Sequence, residues 1–272
     1  MPQRANKQYG HDHEVRPDGS VTFRCSDDIE KWPFLELAPH HPIVIHTINF
    51  WISVECSIAR GTFDPDKWSA LTWMDWGCLD PEAGHAARGV MENVEIDGKV
   101  GFAIKLFDAQ DRPYCNIRGR GVVFRTRNFE GWREDTKSEI SANRSAAPFV
   151  YAPRDEVGVE ECELPLISPL EGVASARGLI TKENGMPPAS RYLSGSGDHV
   201  NAVHIAEAAR QFAALKTGDP KVRFSGGEVS FDHYVELGTP FELALAGESE
   251  GAIDLKLTQA GHDCTSIALR IA

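Results

Sequence analysis

The chain has 272 residues, of which 42% are hydrophobic and 25% are charged, a composition typical of a globular protein with room for two modest domains. Its formal net charge of −12 argues against nucleic-acid binding, because affinity for a phosphate backbone depends on clustered Lys and Arg. No apolar run reaches membrane-spanning length and no signal peptide is recognisable, so we expect a cytoplasmic protein that binds no membrane.

The six cysteines are scattered without a Cys-x-x-Cys pair, which predicts reduced thiols rather than a zinc site or a disulfide framework. The chain also lacks the glycine motif that holds phosphates between a strand and a helix, and the Gly-x-Ser-x-Gly elbow of serine hydrolases. We therefore expect neither a metal nor a bound cofactor.

The first half of the chain predicts one long helix followed by four strands. Residues 1–16 are polar and predict a loose N-terminal arm, and residues 20–25 alternate like a short strand. Apolar residues from Ile48 to Ala59 keep helical spacing, and Arg60-Gly61 predicts the end of that helix. The four strand-like runs that follow are 69–76, 89–96, 100–107 and 114–125.

The second half repeats this order. Apolar and small residues from Val200 to Leu215 predict a buried helix with Asp198 as its N-cap, because small side chains allow close packing against a sheet. Glu207 in this helix lies 152 residues after Glu55 in the first one, which indicates an internal repeat. The strand-like runs after it are 222–231, 241–246, 252–258 and 264–271.

Between the repeats, residues 130–165 are rich in charge, Ser, Ala and Pro and show little periodicity. We predict a first unit at residues 1–130, a linker at 131–165 that crosses from one unit to the other, and a second unit at 166–272.

The second helix carries a family resemblance. Asp198-His199-Val200, followed by Glu207-Ala-Ala-Arg-Gln211, resembles the helix signature of the hot-dog proteins that make butyrolactone signals. The Glu-Ala-x-x-Gln ending is also similar to that of β-hydroxyacyl-ACP dehydratases, although Asn201-Ala202 stands where both families have Pro-Gly. The resemblance covers about 75 residues of the C-terminal half. It implies an α+β tandem (double) hot-dog fold, in which a curved antiparallel sheet wraps each long central helix. Such a chain is a monomeric pseudo-dimer, and a further homodimer stays open.

The resemblance also implies where a site would lie. Dehydratases of this fold combine a His on the loop before one central helix with an acidic residue on the other, and the His precedes the acid of its own helix by 14 residues. His41, followed by Pro42, stands 14 residues before Glu55, whereas Leu193 stands at that distance before Glu207. We therefore predict one composite catalytic site, His41 with Glu207; a one-residue slip would substitute His40 for His41.

These residue types suit dehydration of a β-hydroxyacyl thioester. His41 would remove the proton α to the carbonyl, and Glu207, protonated in its apolar helix, would donate a proton to the leaving hydroxyl. Arg210 either pairs with an acid such as Glu55 or binds a substrate phosphate, and His204 is expected to be a satisfied buried or rim histidine. The candidate substrate-binding residues are His199, Asn201 and Arg210.

The predicted function is thus dehydration of a β-hydroxyacyl group on an acyl carrier protein or CoA, in fatty-acid-like or polyketide-like specialised metabolism. The alternatives are a thioesterase, an acyl transferase like the butyrolactone synthases, and a non-catalytic acyl-binding module. An acidic carrier protein would need a local basic patch, and five arginines are candidates for it. The alternative interpretation is that these arginines are solvated charges on a strand face. The candidates for that patch are Arg118, Arg120, Arg125, Arg127 and Arg133.

Overall fold

The computed structural model describes residues 7–67, 69–124, 129–142, 148–195 and 197–272. The chain divides into two compact units, residues 1–125 (unit 1) and residues 126–272 (unit 2). The start of the predicted N-terminal arm, part of the predicted linker, and Arg125 and Arg127 of the predicted basic patch lie outside the described residues.

Unit 1 combines one long helix with an antiparallel sheet whose strands are ordered β1-β2-β4-β5-β6-β3. Its elements are β1 (Gly10–Val15), β2 (Val21–Cys25), a short 3-10 helix (Pro33–Glu36), α1 (Pro42–Ala59), β3 (Ser69–Cys78), β4 (Arg88–Ile96), β5 (Lys99–Phe107) and β6 (Pro113–Val123). The prediction of one helix followed by four strands is confirmed here.

Helix α1 ends where its sequence predicts, but it begins at Pro42, before the run from Ile48 that keeps helical spacing. His41 is the N-cap, and Pro42 occupies the first turn, where no backbone N–H is required. Every residue from Pro42 to Asn49 is buried, so the first two turns lie in the core on all sides. The helix ends at Ala59, and Gly61 takes the positive φ of 70° that turns the chain away.

Unit 2 repeats the arrangement with additional short elements. Its sheet has the order β8-β11-β10-β9-β7, and all of these neighbours are antiparallel. Its elements are α2 (Phe129–Ala142), α3 (Arg154–Val157), β7 (Ser175–Gly178), α4 (Lys182–Gly185), α5 (Ala202–Thr217), β8 (Phe224–Phe231), β9 (Phe241–Ser249), β10 (Ala252–Gln259) and β11 (His262–Ile271). Helix α5 is buried from Val203 to Ala214, and the four predicted strands follow it.

Three local predictions were wrong. Residues 10–15, expected to be loose, form β1, because an edge strand needs no apolar alternation to pair with β2. The predicted irregular linker contains α2, a polar helix whose Arg133 and Ile140 are buried one heptad apart. The N-cap of α5 is Asn201 rather than Asp198, since Val200 is still extended and donates its N–H to the Val235 carbonyl at 2.8 Å.

Among the described residues, α1 is the one helix that has the length and hydropathy of a membrane span. Burial of its N-terminal half inside unit 1 explains the apolar sequence equally well, because the core helix of a globular domain meets the same criteria.

Candidate functional site

An imidazole paired with a carboxylate stands immediately before the central helix of unit 2. His199 Nδ1 lies 2.7 Å from Asp198 Oδ1, and Asp198 Oδ2 accepts a hydrogen bond from Arg133 at 3.1 Å. Because a carboxylate accepts hydrogen bonds, this contact places the proton of a neutral ring on Nδ1 and leaves the lone pair on Nε2. The side chain of His199 keeps 17% of its surface exposed, so solutes can reach the ring.

Groups from α2 and from the loop after β8 hold this pair in place. The Arg133 guanidinium lies 4.5 Å from the centre of the Tyr234 ring and also pairs with Glu236. The His199 ring packs edge-on against Tyr234, with 4.9 Å between ring centres. Burial raises the pKa of Tyr234 to about 12, so its phenol stays neutral in ordinary buffers. Arg133, counted in the predicted basic patch, is buried and cannot contribute to a surface patch.

Glu207 is the anchor of a second buried cluster on α5. Arg210 donates to both of its carboxylate oxygens, from Nε at 2.8 Å and from Nη2 at 2.7 Å. Gln211 Nε2 donates to the same carboxylate at 2.8 Å, while its Oε1 accepts the Leu166 N–H. Arg210 also donates to the Val157 carbonyl. The cluster therefore ties α5 to residues 157–166, and Arg210 pairs with Glu207 rather than with Glu55.

Glu55 in α1 has a different environment. Its two oxygens accept the backbone N–H groups of Tyr9 at 2.7 Å and Gly10 at 2.6 Å, and His13 Nε2 lies 3.9 Å away. A side chain at residue 10 would bring its Cβ within 2.6 Å of the Glu55 carboxylate, which explains the glycine. Burial raises the pKa of Glu55 to about 7, although the two N–H groups favour the ionised form.

His41 serves as the N-cap of α1. Its Nδ1 accepts the Ile43 N–H at 3.2 Å, so a neutral His41 ring carries its proton on Nε2. In this geometry His41 presents a donor rather than a free base. His40 stacks on Tyr114, with 5.0 Å between ring centres.

The predicted site residues divide between the units. His41 lies in unit 1, and the other four lie in unit 2, all of them on α5 or within three residues of its start. Asn201 caps α5 and donates its backbone N–H to His204 Nδ1. The pairing of His41 with Glu207 stays a prediction.

His204 is fully buried and both of its ring nitrogens are engaged, by the Asn201 N–H at 3.2 Å and by the Gly185 carbonyl at 2.6 Å. The expectation of a satisfied structural histidine is confirmed. By contrast, His46 in α1 is buried with neither ring nitrogen hydrogen-bonded to any described residue, and the same holds for Asn49 Oδ1. Burial lowers the pKa of His46 to about 4, so its ring is neutral at physiological pH.

Sequence reasoning missed the partners of His199. Asp198 was assigned a capping role, and nothing marked Tyr234 or Glu236, because the contacts that join them to α5 span more than 30 residues. The signal that was available is the adjacent Asp-His pair just before a helix. Across the described residues, no group of three or more His, Cys, Asp or Glu side chains is arranged to hold a metal ion.

Comparison with known proteins identifies the fold. The sequence matches no family model, and a search of curated proteins gives no match. Among solved structures, an acyl-ACP thioesterase from Bacteroides thetaiotaomicron superposes with a TM-score of 0.58, at 10% identity over 93% of this chain and 97% of that one. The 12:0-ACP thioesterase from Umbellularia californica gives 0.55, at 10% identity over 93% and 96%. The dehydratase domain of RzxB from Pseudomonas fluorescens gives 0.51, at 14% identity over 97% and 96%.

These likenesses extend over nearly the whole of each chain, so they concern both units rather than one. The protein has the tandem hot-dog fold that the sequence predicted, with α1 and α5 as the two central helices. At 10–14% identity the similarity establishes the fold alone, and the chemistry must be argued from the residues.

Proposed function

We propose that this protein is an enzyme that acts on acyl thioesters carried by an acyl carrier protein or CoA, and that it dehydrates a β-hydroxyacyl group. The observation that carries the proposal is the His199 imidazole, held by Asp198 at the start of the central helix α5. The known structures with this fold include both dehydratases and acyl-ACP thioesterases, which supports the substrate class.

His199 has the arrangement that a general base requires. The Asp198 carboxylate orients the imidazole through Nδ1, and an imidazole is the side chain suited to accept the proton α to a thioester carbonyl near neutral pH. The Asp198 carboxylate then stabilises the imidazolium that forms, as a carboxylate does in hydrolase triads. The N-terminus of α5 begins two residues later, at Asn201, and its partial positive charge favours the negative charge that develops on the thioester oxygen. The imidazolium is the proton source for the departing β-hydroxyl.

His41 and Glu207 are the competing catalytic assignment. The observed contacts favour other roles for both, because His41 presents an Nε2–H donor and Glu207 is held by Arg210 and Gln211. In the proposal, Glu207 and Arg210 hold α5 in place, and Asn201 contributes the first amides of the helix rather than a side chain that reacts.

Thioester hydrolysis is the second candidate, and the same Asp198–His199 pair favours it. A base that removes a carbon-bound proton can equally remove a proton from water, which would then attack the thioester carbonyl. The two reactions give different products, since hydrolysis releases the acyl group and dehydration retains it on the carrier.

Mass spectrometry of carrier-bound β-hydroxyacyl thioesters of several chain lengths, incubated with the full chain, tests the proposal. We expect reversible loss of water, and we expect His199→Ala to lower the rate by roughly 10²- to 10⁴-fold.

His233→Ala is the matched control, because His233 is an exposed histidine of the same unit. Release of the acyl group from the carrier would show that the protein hydrolyses the thioester instead of dehydrating the acyl group. Full activity of His199→Ala, with loss in His41→Ala and Glu207→Gln, would return the assignment to the predicted composite site. Binding without reaction would indicate an acyl-binding module.

A further inference from the structure

Two cysteines face each other across neighbouring strands of unit 1. In the ladder between β3 and β6, Cys78 is the direct partner of Cys115, in a register that runs without a shift from Trp73 to Cys78. Directly opposed residues on antiparallel strands have Cα atoms about 4.5–5.5 Å apart, within the span of about 4.4–6.8 Å that disulfides occupy. Their side chains lie on the same face of the sheet.

Both cysteines are thiols, and the Cys115 thiol donates a hydrogen bond to the Asn116 carbonyl at 3.6 Å. Direct pairing in the ladder places the two side chains side by side, within the spacing that a disulfide between neighbouring strands requires. Their exposure differs, since Cys115 is fully buried whereas Cys78 is partly exposed. Cys78 is thus the thiol that an oxidant in solution meets first.

We propose that Cys78 and Cys115 are a modification site at which a hydroperoxide forms a reversible disulfide. Cys78 attacks a peroxide oxygen, the O–O bond breaks, and Cys78 becomes a sulfenic acid as the first water leaves. The Cys115 sulfur then attacks the Cys78 sulfur, which forms the S–S bond and releases the second water. Two thiols and one hydrogen peroxide thus give one disulfide and two waters. Burial raises the pKa of Cys115 well above its usual value, so we expect this second step to be the slower one.

The site adjoins the segment that leads into α1. Tyr114, the neighbour of Cys115, donates its hydroxyl proton to the Pro39 carbonyl, and its ring stacks on His40. His41 follows as the N-cap of α1. A disulfide at Cys115 therefore constrains the strand that anchors the start of the central helix of unit 1.

The test is treatment of the folded full chain with hydrogen peroxide, followed by alkylation of the remaining thiols, intact-mass measurement and peptide mapping. We expect a mass loss of two hydrogen atoms and a linked peptide pair that contains Cys78 and Cys115, both reversed by dithiothreitol. Oxidation to sulfinic acid at Cys78 with no linked pair, or complete alkylation of both thiols after prolonged exposure, would overturn the proposal.

Two variants sharpen the result. In Cys78→Ser we expect Cys115 to remain a thiol after peroxide treatment, because its partner is gone. Once the protein is denatured, Cys115 should then be alkylated to the same extent with and without dithiothreitol. Cys162→Ser removes the exposed cysteine of unit 2 and should leave the linked pair unchanged. Peptide mapping of the unsubstituted chain decides the question even if Cys78→Ser folds poorly, and it does not depend on whether the protein acts on thioesters.

Discussion

The two central helices each bury a glutamate, but they compensate its charge in opposite ways. Glu207 in α5 pairs with a guanidinium and a carboxamide from its own helix, whereas Glu55 in α1 receives two backbone N–H groups from the start of β1. Amide dipoles offset less of the cost of burying a charge than a cation does, and the pKa of Glu55 rises to about 7. A duplicated helix can thus retain a buried carboxylate and change the groups that bind it.

The buried histidines show the same contrast. His204 in α5 has a backbone partner for each ring nitrogen, while His46 in α1 has none among the described residues. The buried His204 in α5 therefore has hydrogen-bond partners within unit 2. In α1, by contrast, the buried His46 has no hydrogen bond to any described residue.

The largest effect is expected at Arg210. Arg210→Met removes the guanidinium that pairs with the buried Glu207 carboxylate, which we expect to cost about 3–5 kcal/mol of folding free energy. Urea denaturation of the variant measures the loss. The double variant Glu207→Gln with Arg210→Met removes both charges and should recover a large part of it. A double variant as unstable as the sum of the two single ones would show that the ion pair is not the source of the effect.

Glu55 predicts that the stability of the protein depends on pH. Its folded pKa of about 7 lies above the ordinary value of 4.5, so the folded state binds more protons between these values. Its contribution to stability is present below pH 4.5 and is lost as the pH rises through 7. After allowance for solvent screening we expect a loss of roughly 1–2 kcal/mol across this range.

Thermal denaturation of the protein and of Glu55→Gln, from pH 5 to pH 8, checks this expectation. The variant should lack the decline, and the exposed Glu14→Gln in β1 should retain it. Identical pH profiles for all three would mean that Glu55 is ionised throughout.

The sequence could predict the fold because the fold follows from patterns in short segments. The helical spacing of α1 and α5, the four strand-like runs after each, and the stop at Arg60-Gly61 are all local, and the structure contains each of them. The errors arose where tertiary contacts replace hydrophobic periodicity. Strand β1 is held by pairing to β2, and α2 is held through the buried Arg133.

The candidate site was less predictable for the same reason. The motif located Glu207, Arg210 and His199, but residue types do not say which of them pair with one another. Glu207 had the residue type of a proton donor, and its Arg210 partner at the i+3 position was visible only as one of several options. The contacts of Asp198 with Arg133 depend on how distant segments pack, and no local pattern predicts such contacts.

An effect of similar size separates the two buried histidines. His204→Leu leaves the Gly185 carbonyl and the Asn201 N–H without their partner, which we expect to cost about 1–3 kcal/mol. His46→Leu removes a ring with no hydrogen bonds to described residues, so we expect it to be neutral or stabilising. Urea denaturation at pH 7 measures both variants. Equal losses would show that His46 has a structural role comparable to that of His204.

The smallest expected effect concerns the cap of α1 and separates stability from chemistry at His41. His41→Ala removes the acceptor for the Ile43 N–H, and we expect a loss of about 1 kcal/mol. His41→Asn provides another side-chain acceptor at the N-cap without an imidazole, so it should recover most of that stability. If both variants lose turnover of the thioester while only His41→Ala loses stability, His41 takes part in the reaction in addition to capping the helix. If His41→Asn restores both properties, capping is its role, and the imidazole before α5 is left as the base.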